Sequence, residues 1–221
     1  MSVHLKREVD KLKQMLLTLC SLVEEQFWLA VKAIQQRDVD LARQVIESDA
    51  RIDQMEVDVE EECLKTLALY QPVAIDLRFI ITALKINNDL ERIGDLSVNI
   101  AERAEFLASQ EPVAVPFDFE AMAGKAQAMV RLSIDALVNM DCHLAQQVCG
   151  RDDEVDRINK EMYDSVKQSI LKNPGQIESL IHLLSVSRHL ERIADHATNI
   201  AEDVIYMAEG HIIRHKTEEY Q

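Results

Sequence analysis

Residues 89–102 read DLERIGDLSVNIAE and residues 189–202 read HLERIADHATNIAE. Each stretch carries Glu-x-x-x-Asp, as Glu91 with Asp95 and as Glu191 with Asp195. Upstream of each stands Asp-x-x-x-Asp, as Asp49 with Asp53 and as Asp152 with Asp156. On a helix, a spacing of four sets both carboxylates of a pair one turn apart on the same face. Such like-charged pairs are destabilising by roughly 0.2–0.5 kcal/mol, so a gathering of four acids becomes tolerable when a cation neutralises it. Carboxylate and amide oxygens without a thiolate suit iron, manganese, magnesium or calcium. The Lys or Arg side chains of a partner could occupy the same acids. The plainer alternative is a solvated acidic face, with Arg92 and Arg192 pairing with acids of a neighbouring helix.

Repetition separates these acids from ordinary surface charge. LARQVIESDARID at 41 is matched by LAQQVCGRDDEVD at 144, an offset of 103 residues that falls to 100 after the proline breaks. In the row Asp49, Asp53, Glu56, Glu60, the counterparts are Asp152, Asp156, Asn159 and Tyr163, so only the first two acids carry across. The later row Leu77, Ile81, Leu84, Asn88, Glu91, Asp95, Asn99, Glu102 returns as Ile177, Ile181, Leu184, Arg188, Glu191, Asp195, Asn199, Glu202. Both versions are apolar first and acidic second, and they lie away from the core stripe of Leu90, Ile93 and Ile100. His189 and His196 replace Asp89 and Leu96 in the second half, with His196 either a further ligand or a neutral surface residue.

Long helices must position these side chains. In 221 residues there are five Gly and four Pro, and aromatics make up 5%, a composition for an all-α protein rather than a sandwich or barrel. Leu5, Val9, Leu12, Leu16, Leu19 and Val23 form a heptad-like stripe, and the first helix runs on through Phe27, Val31 and Ile34. Asp38 or Asp40 can cap a second helix, which ends near Tyr70 ahead of Pro72. A third spans about Asp76 to Ala108. After the Pro-containing linker SQEPVAVPFDF come helices from Phe117 to Asn139, Cys142 to Leu171 and Gln176 to Glu209, with Gly210 as a stop. The reading is two tandem antiparallel three-helix bundles related by internal duplication, residues 1–108 and 117–210.

The formal net charge of −15 repels phosphate backbones and excludes nucleic acid as a partner. Cys20, Cys63, Cys142 and Cys149 form no CxxC pair and read as buried thiols. MSVHLKREVDKLKQ is charged from the start, unlike a signal peptide, and no apolar run approaches the ~20 residues of a membrane span. The expectation is a cytoplasmic protein. None of the seven histidines follows a Glu by three residues, HExxH is absent, and no glycine spacing forms a P-loop, so no nucleotide is expected. A multinuclear metal-carboxylate enzyme is therefore the weaker alternative, and a helical co-chaperone-like scaffold leaves the repeated acids unexplained.

The twin motifs in this duplicated setting resemble the PhoU family of phosphate-specific transport accessory proteins, over essentially the whole chain. The resemblance implies a non-enzymatic cytoplasmic regulator of phosphate homeostasis, a homodimer. It implies negative regulation of phosphate uptake and of the phosphate-starvation response, acting with the ATPase of the phosphate ABC transporter and with a sensor histidine kinase. Contact with a membrane would be indirect, through those partners. It also implies surface clusters of iron, zinc or another divalent cation, held here by Asp49, Asp53, Glu91 and Asp95 and by Asp152, Asp156, Glu191 and Asp195.

Overall fold

The structure, a computed structural model, describes residues 3–114 and 118–211. The first bundle comprises α1 (Val3–Gln36), α2 (Val39–Tyr70) and α3 (Ala74–Ser109). The second comprises α4 (Phe119–Asn139), α5 (Cys142–Cys149), α6 (Asp152–Lys172) and α7 (Ile177–Glu209), with a 3₁₀ turn over Pro174–Gln176 before α7. Phe117, the expected start of the fourth helix and of the second repeat, and most of the C-terminal tail lie outside the described residues.

The same turn is built twice. Arg37 and Met140 adopt left-handed backbone, φ 53° and 52°, and end α1 and α4. An aspartate then caps the next helix: Asp38 accepts from the Asp40 and Leu41 amides at 2.9 and 3.0 Å, and Asp141 from those of His143 and Leu144 at 2.9 and 3.1 Å. Gly210, φ 78°, closes α7 in the left-handed conformation that glycine adopts without strain.

The helix expected from Cys142 to Leu171 is interrupted. The Gly150 amide still bonds the Gln146 carbonyl at 3.1 Å, but the Arg151 amide turns to Val148 at 3.0 Å, and α6 starts afresh at Asp152. Glycine is a poor helix former. Its counterpart in the uninterrupted α2 is Glu47.

One continuous core runs through both bundles. Leu12, Leu19 and Phe27 of α1 meet Val45 and Ile52 of α2 and Ile86, Leu90 and Ile93 of α3. Met122 and Met129 of α4 meet Val155 of α6 and Val186, Leu190 and Ile193 of α7 in the same way. Each large side chain so buried stabilises the fold by about 1.5–3 kcal/mol. Ile86 is fully buried and belongs to this core, whereas Leu84 is only half-buried. Even the buried polar links repeat. Asn87 Nδ2 donates to Glu56 across α2 and α3 at 2.9 Å to its carbonyl, and the counterparts Ser187 and Asn159 bond at 2.9 Å across α6 and α7.

The bundles pack chiefly through α3 and α7, which run antiparallel. Lys85 meets Asp203 at 3.5 Å, and Phe106 stacks on His182 with ring centroids 3.8 Å apart. Between them His196 Nδ1 lies 2.8 Å from Asp89 Oδ1, and Asn199 Nδ2 donates to the same oxygen at 3.3 Å. His196 is thus neither a free surface residue nor turned to an acidic cluster. It ties one bundle to the other.

Candidate functional site

In the second bundle, Asp152 stands at the first residue of α6, Asp156 one turn on, and Asp195 on α7. One carboxylate oxygen from each lies within 4.8 Å of the other two. Glu191, a turn before Asp195, adds its negative charge to the same place. Burial, and then the charges of Asp195 and Asp156, push the Asp152 carboxyl up to about 6. Burial, and then Glu191 and Asp156, push Asp195 to about 6 as well. The Thr198 hydroxyl lies near enough to favour ionised Asp152 without meeting hydrogen-bond geometry. Asp152 Oδ1 is buried and has no hydrogen-bond partner among the described residues. Three converging carboxylates with an unsatisfied oxygen repel one another and present a set of hard donors to a cation.

The first bundle holds the corresponding acids differently. Gln26 of α1 donates from Nε2 to Asp49 Oδ1 at 3.1 Å. Arg92 bonds Asp95 at 3.0 Å and lies 3.4 Å from Glu91, acids of its own helix rather than of a neighbour. Asp53 is exposed. Burial raises the Asp49 carboxyl first, the Gln26 bond opposes, and the charges of Asp53 and Asp95 raise it further. Burial and then Asp95 raise Glu91, with Glu56 and Asp53 adding to the effect. The four acids therefore share one electrostatic neighbourhood. Among the described residues they do not bring three ligand oxygens as close together as Asp152, Asp156 and Asp195 do.

The difference between ERIGD and ERIAD has a steric origin. A Cβ on Gly94 would lie 3.3 Å from Gln26 Oε1 and 3.3 Å from Ile52 Cγ2. Gly94 makes room for the amide that bonds Asp49. In the second bundle Met129 occupies the position of Gln26, and Ala194 the position of Gly94. Gln26 lies on an apolar stripe and was not identifiable as a site residue. A glutamine aligned with a methionine in the other repeat was the available signal.

A helical protein of two tandem three-helix units, each with a carboxylate cluster between its second and third long helices, is the class that fold and site define. The family model described as PhoU domain matches this chain twice, over residues 16–104 and 119–204. The chain belongs to the PhoU family. It is 40% identical over 214 residues to a phosphate-specific transport system accessory protein PhoU homolog of Aquifex aeolicus, covering 97% of each chain. Among solved structures, PhoU from Pseudomonas aeruginosa superposes with a TM-score of 0.89 at 38% identity, covering 93% of this chain and 99% of that one. The phosphate transport system regulatory protein PhoU from Streptococcus pneumoniae does so with a TM-score of 0.82 at 28% identity, covering 94% and 98%. No helix among the described residues is long and apolar enough to cross a membrane.

Proposed function

We propose that this protein is a regulatory adaptor of phosphate transport. It lowers phosphate uptake and the starvation response by acting, as a cytoplasmic homodimer, on the ATPase of the phosphate transporter and on a sensor kinase. The carrying observation is full-length similarity to relatives named as accessory and regulatory proteins of phosphate transport. The physical features agree with an adaptor. Long helices offer extended faces, and the acidic clusters lie half-buried at the bundle surface rather than in the dry pocket that metal catalysis requires.

Each cluster is a cation site in this reading. Asp152, Asp156 and Asp195, with Glu191 beside them, would hold iron, zinc or another divalent ion, which would neutralise their mutual repulsion. Asp49, Asp53, Glu91 and Asp95 would hold another, more weakly, because Arg92 and Gln26 already engage three of the four. Deleting the gene and restoring it on a plasmid tests the regulatory role. Phosphate uptake and starvation-gene expression should rise in replete medium on deletion and fall on restoration. Unchanged uptake and expression would refute it.

A further inference from the structure

The α3–α7 interface pairs corresponding residues of the two repeats, so its two ends can be compared position by position. At one end, Lys85 faces Asp203, which is buried, and Asp89 accepts from His196 and Asn199. At the other end the counterparts of Asp203, Lys85 and Asp89 are Arg103, Ser185 and His189. Two carboxylates have given way to a guanidinium and an imidazole. This end keeps a guanidinium and lacks both interfacial carboxylates of the other end.

Three nitrogens at this end are buried and unsatisfied. Arg103 Nε, His182 Nδ1 and His189 Nδ1 have no hydrogen-bond partner among the described residues. Both rings are held in place: His182 stacks on Phe106 at 15° between planes, and His189 Nε2 lies 3.1 Å from Ser185 Oγ. Burial first, and then the Arg103 charge, hold both imidazoles below their ordinary range, His189 at about 4 with Arg192 and Arg188 adding to the effect, so both rings are neutral at pH 7. Two acids reach this end. Glu102 bonds Arg103 Nη2 at 3.1 Å from the exposed side, and Glu178 lies near His182. Neither bonds the three buried nitrogens. A buried guanidinium N–H left without an acceptor is costly, a neutral imidazole can carry its single proton on the nitrogen that faces an acceptor, and a guanidinium fork matches the oxygens of a small oxyanion.

We propose that this end of the interface binds a small oxyanion, inorganic phosphate, on Arg103 with His182 and His189 as flanking donors. The site rests on the geometry above, and the choice of phosphate among oxyanions rests on the proposed function. Occupancy would brace the two bundles against each other, coupling the anion to the relative placement of the acidic clusters on α3 and α7.

The test uses the full-length chain stripped of metal with a chelator, so that the acidic clusters cannot recruit phosphate through a bound cation. Phosphate binding is followed by calorimetry and by thermal melting, against chloride at equal ionic strength. Wild type should bind saturably and melt higher. Arg103→Gln should weaken binding by roughly tenfold or more, the loss of a charge-assisted bond. Ser185→Asp places a carboxylate opposite Arg103, in the manner of Lys85 and Asp203. It should raise the melting temperature without phosphate and abolish the response to it. If Arg103→Gln fails to fold, Ser185→Asp carries the test. Absence of saturable binding in the millimolar range, or a full response in Ser185→Asp, would overturn the site. Sulfate binding as tightly as phosphate would overturn the choice of ligand, while the uptake assay independently judges the proposed function.

Discussion

Asp195→Asn should stabilise the metal-free protein at neutral pH. Burial and the charges of Glu191 and Asp156 raise the Asp195 carboxyl from 3.8 to about 6. A raised acid means that the folded state binds more protons than the unfolded state within that window. Stability therefore falls as pH climbs from about 4 to about 6, and the whole penalty is present at pH 7. For a group wholly withdrawn from solvent, such a rise corresponds to about 3 kcal/mol. Asp195 is only partly withdrawn from solvent and shares its repulsion with Asp156 and Glu191, so solvent screening reduces the figure to roughly 1 kcal/mol. For a chain of this size that is about 2–4 °C in melting temperature. Thermal melts of wild type and Asp195→Asn in chelator, from about pH 4 to about pH 7.5, should show a variant advantage that grows with pH. A variant less stable than wild type at neutral pH, or an advantage confined to acid, would refute the repulsion argument.

Three further outcomes follow from the packing. Gly124 lies within α4, and a Cβ there would meet nothing within 4 Å, so Gly124→Ala should stabilise by about 0.5–1 kcal/mol in denaturant melts. Removing either cap, by Asp38→Ala or Asp141→Ala, should cost about 1 kcal/mol, with similar losses at the two duplicated turns. Asp89→Ala leaves His196 and Asn199 without their acceptor at the bundle interface and should cost about 1–3 kcal/mol. A double-mutant cycle with His196→Ala checks that the loss belongs to this pair.

Features written in local chemistry were legible from the residues. Apolar spacing revealed the core stripe of Leu90, Ile93 and Ile100, and Asp38 and Gly210 marked helix ends because caps depend on a few adjacent residues. The repeated acids could be placed on common faces, since a spacing of four converts directly to geometry. Contacts between elements were not legible. His196 finds Asp89 only once α7 lies antiparallel on α3, and Gln26 reaches Asp49 only because Gly94 leaves space for it. The inequality of the two clusters has the same origin. Arg92 folds back on Glu91 and Asp95, while the restart at Asp152 brings α6 acids up to Asp195, and neither is visible in the ExxxD spacing the halves share.

Whether the repeated acids are cation ligands is decided by elemental analysis of metal per chain. Wild type and the Asp95→Asn, Asp195→Asn double variant would be compared after reconstitution with iron, manganese and zinc. Metal should be present in wild type and lost in a variant that retains full helicity. No metal in either protein would contradict cation binding and recast the eight acids as a docking surface for a basic partner.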